Sequence, residues 1–239
     1  MKTAAILFLG LIVLTLASCK IKQQGKHLFI LSGQSNMEGL MPEQSFTPKV
    51  NERFGTKNVI MVKNAHSGQP IRRWFKDWKP LSGNLPKAKT DLYDSLMMKV
   101  NNAVEKESIA TVTFIWMQGE RDARGKLGEV YERSLNGLYK QLCHDLNRKD
   151  INFIIGRLND FDMNNETYPH WTMIRDIQVK VGKSNPRFDW IDTDDLNDGL
   201  SRTGKELKND LHMSAEGYKV MGKRFAEKAI QLIENHPTK

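Results

Sequence analysis

The sequence predicts an α/β fold in which a parallel β-sheet is covered by helices on both faces. Two observations carry the prediction. Short, almost wholly apolar runs alternate along the chain with longer segments whose apolar residues recur at three- and four-residue steps, and the runs end in small polar clusters. Continuous apolar runs suit strands buried on both sides, and the three-and-four spacing gives a helix one apolar stripe. Alternation of the two produces right-handed crossovers between parallel strands.

The elements follow in order. The strands are Leu28 to Leu31, Val59 to Val62, Thr111 to Met117, Asn152 to Leu158 and Phe188 to Ile191. The helical stripes are Leu92, Leu96, Val100 and Val104, then Leu135, Leu138, Leu142 and Leu146, then Trp171, Ile174, Ile177 and Val181. A last helix spans Ser214 to Asn235, with Met221, Phe225, Ala229 and Ile233 on one side. Two long connections, Met41 to Asn58 and Gly68 to Lys89, are candidates for loops that shape a substrate site.

The chain of 239 residues is 39% hydrophobic and 27% charged, the profile of a globular protein with a sizeable core. Its net charge of +8 is scattered through helical segments. Nucleic-acid binding usually needs a clustered basic patch, so a solvated basic surface is the expectation and a nucleic-acid partner is not.

The first residues, MKTAAILFLGLIVLTLASC, have an early lysine, an apolar stretch and small residues before Cys19, the layout of an export signal. The apolar stretch falls short of the ~20 residues that span a bilayer. Leu16-Ala17-Ser18-Cys19 resembles the lipobox of bacterial lipoproteins, which implies cleavage before Cys19 and lipid attachment there. The expected layout is a signal peptide over 1–18, a polar tether over 19–26 and one domain over 27–239, exported and anchored to a membrane. Cys143 is then alone and, at helical spacing, reads as a small buried hydrophobe.

Parallel sheets of this kind place ligands beyond the carboxyl ends of their strands. Those positions hold Gly33-Gln34-Ser35-Asn36-Met37, then Asn64-Ala65-His66-Ser67-Gly68, then Gln118-Gly119-Glu120-Arg121-Asp122, and finally Asp210-Leu211-His212 before the last helix. A serine hydroxyl becomes a nucleophile when an imidazole takes its proton, and the imidazole needs an acid to fix its tautomer. Ser35 and His212 fit the first two roles; Asp210 and Glu120 are both open for the third. An oxyanion hole needs donors, and Gly68 and Gln118 stand at the same rim. His66 is the rival histidine.

These blocks, in this order, resemble those of SGNH (GDSL-like) hydrolases, in the carbohydrate-esterase branch that contains sialate O-acetylesterases and acetylxylan esterases. The resemblance runs from about His27 to the last helix. It implies a flavodoxin-like three-layer αβα sandwich with a parallel sheet of about five strands, Ser35 as nucleophile and His212 as base. It also implies an oxyanion hole formed by the N–H groups of Ser35 and Gly68 with Gln118. The wider pattern has an aspartate three residues before the histidine; here that position is Asn209 and the acid is Asp210.

The expected activity is hydrolysis of O-acetyl groups from sugars of sialate or xylan type, through an acyl-enzyme on Ser35 and without a cofactor. The alternative is a non-catalytic surface glycan-binding lipoprotein with the same fold. Trp74 and Trp78 suit sugar stacking or, more commonly, burial, and Arg72 or Arg73 would be within reach of an acidic sugar. Asp122 reads equally as a solvated loop charge. Asp192, Asp194 and Asp195 lack metal-ligand spacing, so no metal is expected.

Overall fold

The computed structural model describes residues 25–82 and 87–237. Five strands build the main sheet: β1 (Lys26–Gly33), β2 (Val59–Ala65), β3 (Ile109–Met117), β4 (Asn152–Gly156) and β5 (Phe188–Ile191). All neighbours pair in parallel, in the order β2-β1-β3-β4-β5. That is the flavodoxin-like order, with the topological switch between β1 and β3.

The helices are α1 (Ser35–Gly39), α2 (Phe46–Phe54), α3 (Asp91–Val104), α4 (Glu120–Arg124), α5 (Gly128–Asp145), α6 (Trp171–Gly182) and α7 (Ala215–Asn235). Strand residues alternate between two cores. Leu28, Ile30, Phe114, Trp116 and Phe153 face α3, α5 and α6, whereas Phe29, Leu31, Ile115, Met117 and Ile154 face α1, α2 and α7. Both faces are covered, which is why the strands read as unbroken apolar runs. Each fully buried side chain of this size contributes about 1.5–3 kcal/mol.

The carboxyl ends of β1, β2 and β3 lie side by side, with Gly33 paired to Ala65 on one flank and to Met117 on the other. The segment before α7 comes to the same rim. Ser214 caps that helix, its Oγ accepting the Gly217 N–H at 3.0 Å, and so fixes the turn just after His212.

Some elements were not expected. The Met41–Asn58 connection contains α2, which packs on α7 away from the rim, and a short antiparallel hairpin joins β6 (Gly199–Leu200) to β7 (Glu206–Leu207). Among the described residues no helix is long and apolar enough to cross a membrane. The first strand opens at Lys26, so the signal peptide, Cys19 and most of the tether lie outside the described residues.

Candidate active site

The site begins with a crossing that only glycine permits. Gly33 has φ 146°, and a Cβ there would fall 1.9 Å from the Met117 carbonyl oxygen. The Gln34 N–H then donates to that oxygen at 2.9 Å, which clamps the end of β1 onto β3. Ser35 emerges as the first residue of α1, half-buried, and faces a cavity of about 300 Å³. His212, Gly68 and Glu120 line the same cavity. Larger grooves of about 550 and 410 Å³ run beside α2 and α7, but their walls are surface charges such as Lys49, Glu52 and Glu227. Chemistry therefore favours the smaller cavity.

The loop carrying His212 is held from several sides. Asn159 and Asn197 each donate to the Asp210 carbonyl at 3.1 Å. Asp210 turns its carboxylate onto the next-but-one residue: Oδ1 accepts the His212 backbone N–H at 2.9 Å and lies 3.8 Å from His212 Nδ1. Asn209, three residues before His212, adopts φ 44°, a left-handed turn that suits asparagine. His66 does not line the cavity; its Nε2 pairs with Asn64 Oδ1 at 2.6 Å.

Gly68 also adopts a left-handed conformation, with φ 68°. Its N–H donates to no group among the described residues, and neither does that of Ser35, the first residue of α1. Gln118 is placed differently. It is fully buried and does not line the cavity; its Nε2 donates to Asp122 Oδ2 at 2.5 Å, the Gln69 carbonyl at 3.1 Å and Gln34 Oε1 at 3.3 Å. Its two hydrogens are shared among those acceptors, so it braces the loop behind Gly68. Asp122, far from being a solvated charge, is buried and also accepts the Ile71 N–H at 2.8 Å. Burial pushes its carboxyl up to about 6.

Glu120 is 1% exposed and lines the cavity. Its Oε1 accepts from Asn36 Nδ2 at 3.0 Å, its Oε2 has no partner among the described residues, and burial pushes its carboxyl up to about 7. It makes no contact with His212 among the hydrogen bonds and ion pairs of the described residues; Asp210 does. Arg121 and Arg124 supply positive charge to the cavity wall, with Tyr168 beside them.

Trp74 and Trp78 are core residues at 0% and 3% exposure, so burial and not sugar stacking accounts for them. Arg73 is tied to Asp91, with an Nε–Oδ1 distance of 2.7 Å, and to Gln69, and does not reach the cavity. Asp192 and Asp194 pair with Arg157, Asp194 also with Arg175, and Asp195 with Arg224. Cys143 is a free, half-buried thiol packed against the core, and burial raises its pKa.

The family model for carbohydrate esterase, sialic acid-specific acetylesterase, matches residues 39–231, a span that holds Gly68, Glu120, Asp210 and His212 and begins just after Ser35. The chain belongs to this family. The esterase is thus a hydrolase of carboxylic esters acting on carbohydrates, and the non-catalytic reading is set aside. Among curated proteins none matches. Several solved structures share the fold of this esterase. A protein from Arabidopsis thaliana is 19% identical with a TM-score of 0.64, over 87% of this chain and 98% of that one. A novel carbohydrate acetylesterase from Xanthomonas citri is 15% identical with a TM-score of 0.66, over 87% of this chain and 56% of that one. NanS is 14% identical with a TM-score of 0.61, over 88% and 98%.

Proposed function

We propose that this esterase removes O-acetyl groups from a carboxylate-bearing sugar of sialate type, through an acetyl-enzyme on Ser35. The observation that carries the reading is that Ser35, His212 and Gly68 line one cavity at the ends of adjacent strands. His212 takes the Ser35 proton as Oγ attacks the acetyl carbon. The oxyanion forms facing the N–H groups of Ser35 and Gly68. The carbon–oxygen bond to the sugar then breaks, and His212 returns the proton to the departing sugar oxygen. Water, activated by the same imidazole, releases acetate and restores Ser35. Asp210, on the Nδ1 side of His212, supports the imidazolium. Gln118 acts through the Gly68 loop it braces. The sialate choice is favoured by the family's description and by Arg121 and Arg124 on the cavity wall.

The test is acetate release by purified wild type and Ser35→Ala, with intact-mass detection of an acetyl adduct after acid quench. Loss of turnover by about 10⁴- to 10⁶-fold in a folded variant is the expected result. Near-normal turnover by folded Ser35→Ala would end the mechanism.

The Leu-Ala-Ser-Cys sequence supports a second proposal, that export and lipidation at Cys19 tether the enzyme to a membrane. Cys19→Ser should then move it to the soluble fraction; unchanged membrane partitioning would count against the anchor.

A further inference from the structure

We propose that Asn36 is the positioning residue that sets His212 against Ser35, with Glu120 holding the Asn36 amide in register. The inference rests on the reading of Ser35 as nucleophile and His212 as base.

Asn36 follows the nucleophile directly and is 1% exposed. Its side chain grips the chain on both sides of His212. Nδ2 donates to the Leu211 carbonyl at 3.1 Å, and Oδ1 accepts the Met213 N–H at 3.4 Å. The second Nδ2 hydrogen goes to Glu120 Oε1 at 3.0 Å, and the second lone pair of Oδ1 receives the Tyr218 hydroxyl at 3.2 Å. Both donors meet acceptors and both lone pairs meet donors, so the amide has one orientation and a flip would set like against like in four places.

The His212 ring itself is weakly held. Its side chain is 46% exposed, and Asp210 approaches Nδ1 only to 3.8 Å. Its position therefore follows its backbone. Asn159 and Asn197 hold the Asp210 carbonyl but do not reach the nucleophile. Asn36 alone among these amides joins the base's loop to the nucleophile's own helix, so a shift in one is transmitted to the other. An error of about 1 Å between reacting groups costs on the order of 10² in rate.

A merely structural amide would lower stability and leave turnover per folded molecule unchanged. Asn36→Asp preserves shape and acceptor but places an oxygen where Nδ2 faced Glu120 and Leu211. Glu120→Gln added to it restores the bond to position 120 with the donor on the other side. The expected result for folded Asn36→Asp is a kcat loss on the order of 10² with KM within about threefold, and recovery of about tenfold or more in the double variant. Folded Asn36→Asp within threefold of wild-type kcat, or a double variant no better than the single, would overturn the proposal. Should Asn36→Asp fail to fold, Tyr218→Phe removes one donor to Oδ1; a kcat loss of severalfold at constant KM supports the proposal, and unchanged kcat overturns it. Ser35→Ala is assayed beside them: turnover there removes the nucleophile reading itself, whereas an inert Ser35→Ala with an unaffected Asn36→Asp removes only the positioning role.

Discussion

The Asp210 carboxylate accepts the backbone N–H of His212 at 2.9 Å and stands 3.8 Å from the same residue's Nδ1. One oxygen thus shapes the turn and faces the ring. Asp210→Asn separates the two roles, because an amide oxygen still accepts the N–H but carries no charge to stabilise an imidazolium. The expected outcome is an intact fold by circular dichroism and a kcat lower by about 10²- to 10⁴-fold on an acetyl ester. An Asp210→Asn enzyme at wild-type rate would move the acid role elsewhere, with Glu120 the next to test.

Two glycines at the rim should respond oppositely to alanine. At Gly33 a Cβ meets the Met117 carbonyl oxygen at 1.9 Å and the carbon behind it at 2.6 Å, backbone atoms with no flexible side chain to yield. Gly33→Ala is expected to abolish soluble folded protein. At Gly68 nothing among the described residues lies within 4 Å of the added carbon, and only the left-handed φ of 68° resists it. Gly68→Ala should fold with a loss of about 1–2 kcal/mol and, since its N–H survives, retain activity within about tenfold. Denaturant melts and kcat/KM of both variants check the contrast.

How much of this was legible in the sequence depends on where each residue's partners come from. The five strands announce themselves because burial on both faces makes them continuously apolar, as in β1, where Phe29 and Ile30 serve opposite cores. His212 was legible from its place before a capped helix. Asn36 was not, since an asparagine after a strand reads as a turn residue and its four partners, at Glu120, Leu211, Met213 and Tyr218, come from distant segments. Gln118 shows the same limit: its residue type suits an oxyanion donor, but the acceptors that occupy it appear only when the Gly68 loop folds back. For Asp122 the sequence offered a charged loop residue, and only packing reveals it as a buried brace. The short hairpin of β6 and β7 carries no apolar run at all.

Arg121 and Arg124 line the cavity, and among the described residues neither forms a salt bridge. A guanidinium left free on a cavity wall suits a substrate carboxylate, worth about 1.5–3 kcal/mol as a charged hydrogen bond. Arg124→Gln should therefore raise KM for an O-acetylated sialic acid by about tenfold or more. An uncharged aryl acetate, which has no carboxylate to lose, should keep its KM. Equal effects on both substrates would point to a general disturbance of the cavity.

His27 opens β1 in a buried position, with its ring 4.1 Å from that of Phe54 and its Nδ1 2.8 Å from Thr111 Oγ1. Burial, aided by Arg53, holds its pKa down at about 4 against an ordinary 6.5. The folded protein thus binds this proton less readily than the unfolded chain. Its contribution is fully present above pH 6.5 and is lost as pH falls toward 4, amounting to roughly 3 kcal/mol across that window. Asp122 and Glu120 pull the other way, since carboxyls raised by burial favour the folded state at low pH and penalise it as pH rises through about 6 and about 7. The histidine is therefore isolated by difference between variant and wild type. His27→Phe keeps a ring against Phe54 and removes the titration, at a cost of about 1 kcal/mol for the Thr111 hydroxyl left unpaired. Relative to wild type, the variant should be less stable at pH 7 and more stable at pH 4, measured by urea unfolding at stepped pH. A constant difference between the two proteins over that range would mean that His27 takes its proton without penalty.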